Sequence, residues 1–116
     1  MTFHRDVPYL MHILDAISDI EESIKPLSKK EFEKAKDAKD ATIRRVEIIG
    51  EAVKNLSNNL KKNHPEVEWK KIAGTRDRIT HAYFAVDLDI IWEIVKHSLP
   101  VLKKQIQKIV KDLKEA

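Results

Sequence analysis

The residues with the clearest chemical potential lie in one short stretch, residues 74–84, which reads GTRDRITHAYF. It holds two arginines, a histidine and a tyrosine, at Arg76, Arg78, His81 and Tyr83. A neutral imidazole can take the proton of a ribose 2′-hydroxyl, because the reference pKa of histidine is about 6.5. A guanidinium can hold a phosphate through paired hydrogen bonds and stabilise charge that develops on it. These residue types suit RNA cleavage without a metal ion, with His81 as base and Arg76 on the phosphate.

The spacing of these residues favours a site that two chains share. On a helix, where each residue turns by about 100°, Arg76 and Tyr83 share a face, with Thr80 between them. His81 lies about 140° round from Arg76 on the same helix, whereas Arg78 and His81 are neighbours. One copy of the helix therefore places Arg76 and His81 poorly around a single phosphate. Two copies related by a two-fold axis would bring both pairs into one cleft, so a homodimer or a higher oligomer is expected.

Each of these residues also has a structural explanation. His81 could be a half-buried histidine of a helical bundle, and Tyr83 could anchor its helix to the core with its hydroxyl at the rim. Arg76 and Asp77 could form a surface ion pair. The sequence contains no His-Glu-x-x-His or Glu-x-x-His motif and no phosphate-binding glycine loop. We therefore expect neither a metal nor a cofactor.

The charge distribution favours a polyanion near the candidate site. The net charge is +3, from 22 basic and 19 acidic residues, and residues 61–83 alone hold six basic and three acidic residues. Positive potential beside a candidate site attracts RNA, although a solvated charged face is the alternative. A second basic run lies near the C-terminus, at Lys103, Lys104, Lys108, Lys111 and Lys114.

The composition indicates one helical domain, residues 1–116. Hydrophobic residues make up 42% of the chain and charged residues 35%, as in ordinary globular proteins. Only two glycines and four prolines are present, too few for a sheet with many hairpins. The absence of cysteine excludes disulfides and thiolate chemistry. Because no signal-peptide pattern and no membrane-length apolar run is visible, we expect a cytoplasmic protein without membrane contact.

Apolar residues at three- and four-residue steps predict an up-and-down bundle of about four or five helices. The first helix should begin with Asp6 as its N-cap and end at Pro26. Ser28 and Glu31 form a capping-box pattern that opens a short helix. A long helix should follow, from about residue 37 or 40 to Leu60.

The second half of the chain contains several helix breakers. Gly50, inside the long helix, costs about 1 kcal/mol relative to alanine, which indicates close approach of another helix. After a short helical turn at residues 68–72, Gly74 should reset the chain direction and Thr75 should cap the helix of the chemical stretch. Pro100 should kink or divide the last helix.

Residues 76–83 resemble the R-x-x-x-x-H-x-Y motif of HepT-like toxins in the HEPN superfamily. The resemblance covers nearly the whole chain. It implies an all-α, dimeric bundle with a cleft formed by both motifs. It also implies a metal-independent endoribonuclease that acts as the toxin of a type II/VII-like toxin–antitoxin pair. The blocks that carry the resemblance outside the motif are residues 5–10, 41–44, 49–52, 69–72, 86–87, 91–92 and 99–100.

The resemblance also implies a partner, a minimal nucleotidyltransferase antitoxin that transfers AMP to Tyr83. An anionic adenylate beside Arg76 and His81 would occupy the space and the charge that RNA needs. Arg44 and Glu51 match family positions on the long helix and are expected to support the site.

The motif departs from the family pattern at one position, and three of its residues are expected to support the site. Family members usually have Asn where this chain has Asp77, which could pair with Arg76 or Arg78 and reduce the positive potential. Asp77, Arg78 and Thr80 are expected to support the catalytic pair. Two alternatives stay open: a non-catalytic bundle that binds a nucleotide or RNA, or docks on a nucleotidyltransferase, and a purely structural bundle.

Overall fold

Helices form nearly all of the described chain, which comprises residues 4–75, 78 and 88–115 of a computed structural model. No strand occurs among these residues, so the predicted all-α class is confirmed. A 3-10 turn at His4–Asp6 precedes the first helix, and a π-helical turn at Ile94–Ser98 joins the last two. The α-helices of the described chain are α1 (Val7–Ile24), α2 (Lys29–Lys34), α3 (Lys36–Asn55), α4 (Asn58–Asn63), α5 (Trp69–Ala73), α6 (Leu88–Glu93) and α7 (Leu99–Glu115).

The core lies between α1, α3 and α7. The apolar stripe predicted for α1 is buried, with Leu10, Ile13 and Ile17 fully inaccessible. This helix packs along α3 and also contacts α7. The buried residues of α7 are Leu99, Leu102, Ile106, Ile109 and Val110. No helix of the described residues is long and apolar enough to cross a bilayer.

The capping box at the start of α2 is confirmed. The Ser28 hydroxyl accepts a hydrogen bond from the Glu31 backbone N–H at 3.1 Å, and the Ser28 N–H donates to the Glu31 carboxylate at 2.9 Å. Hydrogen bonding to Ser28 lowers the pKa of the Glu31 carboxyl below its usual value. The bond to the Ser28 backbone is the larger cause, and the bond to the Ser28 side chain is the smaller one. Both bonds satisfy backbone or side-chain groups that a free helix end would leave to water.

Asp6 has a different role from the one predicted. Asp6 occupies the predicted N-cap position of α1, but its backbone is helical and its side chain makes no cap hydrogen bond to that helix. The carboxylate is fully buried and accepts hydrogen bonds from the Ser57 backbone N–H at 2.8 Å and the Ser57 hydroxyl at 2.7 Å. Charge-assisted bonds of this kind are stronger than neutral ones. Asp6 therefore joins the start of α1 to the chain that follows α3.

The long helix ends earlier than predicted. α3 stops at Asn55, Leu56 is extended, and Ser57 caps a new helix, α4, by accepting a hydrogen bond from Leu60 N–H at 3.2 Å. The predicted single helix to Leu60 is thus two helices, because the serine side chain satisfies a new helix start. Leu60 is still fully buried, as its place in the apolar stripe predicts.

The last helix is divided, as predicted, and the division takes the form of a π-helical turn. Pro100 has no N–H, and its ring crowds the preceding turn. Directly before it, the Leu99 N–H donates to the Ile94 carbonyl, a bond across five residues. Such π-turns are uncommon and occur often at functional sites. The turn carries His97 and Ser98.

Side-chain contacts hold the ends of this divided helix. Asp89 lies in the first turn of α6 and forms a salt bridge with Lys29 of α2. On α7, Lys103 lies 2.8 Å from the Glu21 carboxylate of α1. α6 is thereby tied to α2, and α7 to the C-terminal part of α1.

Candidate functional site

The approach to the chemical stretch is built on α5, as predicted. Trp69 is buried and its indole N–H donates to the His64 carbonyl at 2.9 Å. Ile72, one turn further on, is partly buried against the core. A short helix needs such anchors, because its few internal hydrogen bonds give little stability. α5 therefore gives the following residues a defined starting point.

Gly50 brings α5 close to the long helix. A Cβ atom at Gly50 would lie 3.5 Å from the carbonyl oxygens of both Ile72 and Ala73. The predicted close approach of another element is confirmed, and that element is the C-terminal end of α5. The backbone that enters the motif therefore rests directly on α3.

Gly74 ends α5, and the chain is helical again at Thr75. Gly74 has right-handed backbone angles, φ −80° and ψ −4°, and its N–H donates to the Lys70 carbonyl at 2.9 Å. The Thr75 hydroxyl donates to the Lys71 carbonyl at 3.1 Å. The expected N-cap role of Thr75 is therefore wrong, and the change of chain direction at Gly74 stays a prediction. The cause is that backbone and hydroxyl donors bond to the preceding turn, where the carbonyls of α5 are available.

Arg78 is the one residue of the motif stretch beyond Thr75 that the structure describes. It is helical and exposed, and its N–H donates to the Gly74 carbonyl at 3.3 Å. Among the described residues, no carboxylate lies at ion-pair distance from its guanidinium. The predicted residues Arg76, Asp77, Thr80, His81 and Tyr83 lie outside the described residues, and their roles stay predictions.

A groove of about 260 Å³ opens beside Arg78. It is bounded by α3, α5, the 66–68 segment, the π-turn and α7; we call it the Arg78 groove. Its floor is aliphatic and its rim is charged or polar. The floor is formed mainly by Val46, Ile49, Ile72, Leu99, Val101 and Leu102, and the rim by Glu66, Glu68, Lys71, Arg78, His97 and Gln105.

The charges of the described rim balance. Lys71 lies 3.7 Å from Glu68, and the His64 ring lies 3.5 Å from Glu66. The positive potential expected from the run of basic residues is therefore reduced by carboxylates of the same segment. Among the described residues, Arg78 takes no part in these ion pairs.

His97 is a candidate site residue that the sequence did not reveal. It reaches the groove from the π-turn and its Nε2 lies 3.7 Å from a Glu93 carboxylate oxygen. In the sequence it is one of several scattered histidines. The available signal is Pro100, because a proline three residues downstream distorts the turn that presents His97.

Arg44 and Glu51 lie together in a second cavity, of about 290 Å³, between α1 and α3. Arg44 is 3.8 Å from Glu47, and Glu51 is 3.8 Å from Lys54. Among the described residues, this cavity and the Arg78 groove share no lining residue. The structure thus brings Arg44 and Glu51 together and places Arg78 in a separate groove. Their supporting role stays a prediction.

Metal binding has no evident place in the described part of the chain. No group of three or more His, Asp or Glu side chains there is arranged to hold an ion. The Arg78 groove itself offers aliphatic side chains, hydrogen-bonding side chains and the Arg78 guanidinium.

Comparison with known proteins identifies relatives over most of the chain. A family model described as Ribonuclease HepT-like matches residues 13–109. A protein of Thermococcus cleftensis named "Probable ribonuclease HepT" is 43% identical over 108 residues, which are 93% of this chain and 96% of that protein. A protein of Caldanaerobacter subterraneus subsp. tengcongensis named "Putative RNase" is 44% identical over 103 residues, 89% of this chain and 92% of that protein.

A third relative is a longer protein. It comes from Methanocaldococcus jannaschii, and its name joins "Gamma-glutamylcyclotransferase and putative RNase". It is 45% identical over 105 residues, which are 90% of this chain, and the chain spans only 47% of its length. No solved structure gives a significant match to the chain.

Proposed function

The chain belongs to the HepT-like ribonucleases of the HEPN superfamily, and on that premise we propose that it is a metal-independent endoribonuclease. The observation that carries the proposal is the complete R-x-x-x-x-H-x-Y pattern at residues 76–83 within the matched region. Two of its relatives are named as a putative RNase and a probable ribonuclease, which supports RNA as the substrate.

In the proposed reaction, His81 takes the proton of a ribose 2′-hydroxyl as general base. The 2′-oxygen attacks the adjacent phosphorus and forms a 2′,3′-cyclic phosphate. The bond to the 5′-oxygen of the next nucleotide breaks, and that oxygen takes a proton from water and leaves as a hydroxyl group. Arg76 binds the non-bridging oxygens and stabilises the charge that builds on them. The need for a 2′-hydroxyl makes RNA the substrate and DNA a non-substrate.

The backbone that precedes the motif supports this assignment. Gly50 and Trp69 fix α5 from two sides, and helical hydrogen bonds run from α5 to Arg78. A catalytic pair needs a rigid element to hold it within a small tolerance of productive geometry. A guanidinium at Arg78, exposed and without a described carboxylate partner, adds a second cation for the RNA backbone.

We further propose that two chains complete the cleft. The five-residue spacing of Arg76 and His81 separates them by about 140° on one helix. A two-fold axis would place both pairs around one phosphate. The proposed regulation is as a toxin of a toxin–antitoxin pair. A minimal nucleotidyltransferase would transfer AMP to Tyr83, and the added negative charge would exclude RNA.

The test of this function is cleavage of unstructured RNA in the presence of EDTA. We expect the wild-type chain to cleave it and His81→Ala to lose at least about a hundredfold in rate, the lower end of the usual effect of a general base. Lys30→Ala, which removes an exposed cation on α2, controls for a general loss of charge and should retain the activity. Intact RNA with wild-type protein that is folded by circular dichroism would contradict the proposal.

A non-catalytic RNA-binding module is the second candidate. The Arg78 groove favours it, because an aliphatic floor with a polar rim is a recognition site whether or not the chain cleaves RNA. That reading predicts binding that depends on Arg76 and weakens steeply with salt. Cleavage products distinguish the two candidates, since the binding module gives none.

A further inference from the structure

We propose that the Arg78 groove is a nucleobase subsite, which receives one unpaired base of single-stranded RNA beside the cleavage site. The inference rests on the proposed function in one respect only, that RNA is the ligand. It adds a place for the base and a preference among bases, neither of which follows from the motif. The groove adjoins the motif directly, because Arg78 belongs to the motif stretch and to the groove rim.

The size and the floor of the groove fit a base. Its volume of about 260 Å³ lies below the roughly 300–1,000 Å³ of sites for drug-sized ligands. Ile72 and Leu102 form aliphatic surface within it, and Val101 is 58% exposed at its edge. A flat ring that covers these side chains would remove apolar surface from water, which stabilises binding.

The rim offers hydrogen-bond acceptors for amino groups. Glu66 and Glu68 line the groove, and an ionised carboxylate is an acceptor only, with room for several donors. Carboxylates accept hydrogen bonds from the exocyclic amino group of cytosine, and adenine and guanine also carry such a group. Uracil has none. The groove should therefore bind amino-bearing bases in preference to uracil.

His97 supplies a planar ring at the mouth. Its side chain is 70% exposed, so one face of the imidazole is accessible to a ligand. RNA-binding proteins stack unpaired bases on aromatic rings, histidine among them. The π-turn before Pro100 presents this ring, which gives the irregular turn a use.

The walls of the groove are fixed before a ligand arrives. Gln105 of α7 donates to the Glu66 carbonyl at 3.2 Å, and Trp69 donates to the His64 carbonyl at 2.9 Å. These bonds hold the acidic segment against α7 and α5. A preformed site binds more tightly because less side-chain and loop freedom is lost on binding.

A neighbouring cavity gives the RNA backbone a path. It shares Glu66 and Gln105 with the groove and is also lined by Lys104, Lys108 and Asp112. Among the described residues, neither lysine has a carboxylate at ion-pair distance, whereas Lys103 is paired with Glu21 at 2.8 Å. Lysines of this kind bind phosphates and fix the register of a nucleic acid. Asp112 reduces the potential there, so the path is expected to contribute modestly.

The charged rim argues against a protein chain as the occupant. Glu66, Glu68, Lys71 and Arg78 all border the groove. The buried centre of a protein–protein interface is depleted of charged residues, whereas a base needs an apolar floor with hydrogen-bonding edges. Single-stranded RNA matches both parts of the lining, and a second copy of the chain matches only the floor.

A methyl NMR titration of the full chain tests the subsite without relying on cleavage. The probes are CMP and UMP, which differ in the amino group that the carboxylates would recognise. We expect saturable shifts at the methyls of Ile72, Val101 and Leu102, at lower concentrations of CMP than of UMP. The methyls of Ile48 are the internal control. Ile48 is also partly exposed but lines the cavity of Arg44 and Glu51, so its methyl signals should not shift.

Substitutions at two groove residues, with one control elsewhere, sharpen the test with a short unpaired oligoribonucleotide. Val101→Glu adds a carboxylate to the apolar edge of the groove. It should weaken binding by about tenfold or more, the scale of one lost base contact. Met11→Glu changes another exposed apolar residue, which lies on α1, and this variant should bind the oligonucleotide as the wild type does. His97→Ala should weaken binding and His97→Phe should restore it, because a phenyl ring also stacks on a base.

The outcomes separate this proposal from the proposed function. Groove shifts without RNA cleavage would retain the base subsite and overturn the ribonuclease. RNA cleavage without groove shifts would retain the ribonuclease and overturn the subsite. Shifts that depend on protein concentration alone, with Val101→Glu converting a dimer to a monomer, would assign the groove to a second copy and overturn the subsite as well.

Discussion

The contact between Gly50 and the end of α5 sets the distance between the long helix and the chain that enters the motif. A Cβ atom at Gly50 would meet the Ile72 and Ala73 carbonyl oxygens at 3.5 Å, an ordinary van der Waals distance. Alanine therefore fits without a shift of α5. Because alanine is favoured over glycine in a helix interior by about 1 kcal/mol, Gly50→Ala should stabilise the protein by up to that amount.

Gly50→Val should have the opposite effect. Its two methyl groups extend beyond the Cβ position, where the Ile72 and Ala73 carbonyls already lie in contact. They can be accommodated only if α5 moves away from α3. Overpacking of a buried site costs about 1–3 kcal/mol, which exceeds the few tenths of a kcal/mol by which valine is favoured over glycine in a helix interior. The net expectation is a loss of stability with valine and a gain with alanine.

Urea unfolding followed by circular dichroism measures both free energies of unfolding. RNA cleavage, measured under conditions where each variant is folded, shows whether displacement of α5 reaches the motif. We expect Gly50→Ala to retain wild-type cleavage and Gly50→Val to lower it. Alanine is expected to stabilise the protein by up to about 1 kcal/mol. A loss of more than about 1 kcal/mol would refute the proposed geometry, because it would require a steric cost of about twice the propensity gain. Full activity of folded Gly50→Val would refute the link between this contact and the motif.

Further predictions concern the buried polar groups and the capping box. Asp6→Ala leaves the Ser57 N–H and hydroxyl without their acceptor and should cost about 1–3 kcal/mol in urea unfolding, whereas unchanged stability would contradict the buried bond. The Thr42 hydroxyl is buried without a hydrogen-bond partner among the described residues, so Thr42→Val should raise stability by about 1 kcal/mol in the same assay, and a loss would indicate a partner. The pKa of Glu31 is lowered on folding, so its stabilising effect is present above the unfolded pKa of about 4.3 and is lost as the pH falls through the folded pKa. An NMR titration should show this midpoint below that of Ser28→Ala, and equal midpoints would contradict it.

The parts of the fold that could be predicted depend on local sequence. The stripe of α1 follows from three- and four-residue spacing, and the capping box needs only Ser28 and Glu31. Gly50 was informative because glycine inside a helix needs a reason, and α5 is that reason. Pro100 predicted a division of the last helix, because it cannot donate the helical hydrogen bond.

The parts that could not be predicted depend on partners distant in sequence. Asp6 is typical of an N-cap by type, and only the folded chain brings Ser57 to its carboxylate. Thr75 also has the type of an N-cap residue, but the Lys71 carbonyl of the preceding turn accepts its hydroxyl. The Arg78 groove combines α3, the 66–68 segment, α5, the π-turn and α7, and no local pattern brings His97 next to it.

The central claim is metal-independent cleavage of RNA through the 2′-hydroxyl with His81 as base. Mass spectrometry of the 3′ ends left on an RNA oligonucleotide in the presence of EDTA tests it most directly. We expect 2′,3′-cyclic phosphate ends with the wild-type chain, no product with His81→Ala, and no cut where the ribose is replaced by deoxyribose. Ends that carry a 3′-hydroxyl, or equal cleavage by His81→Ala, would contradict it.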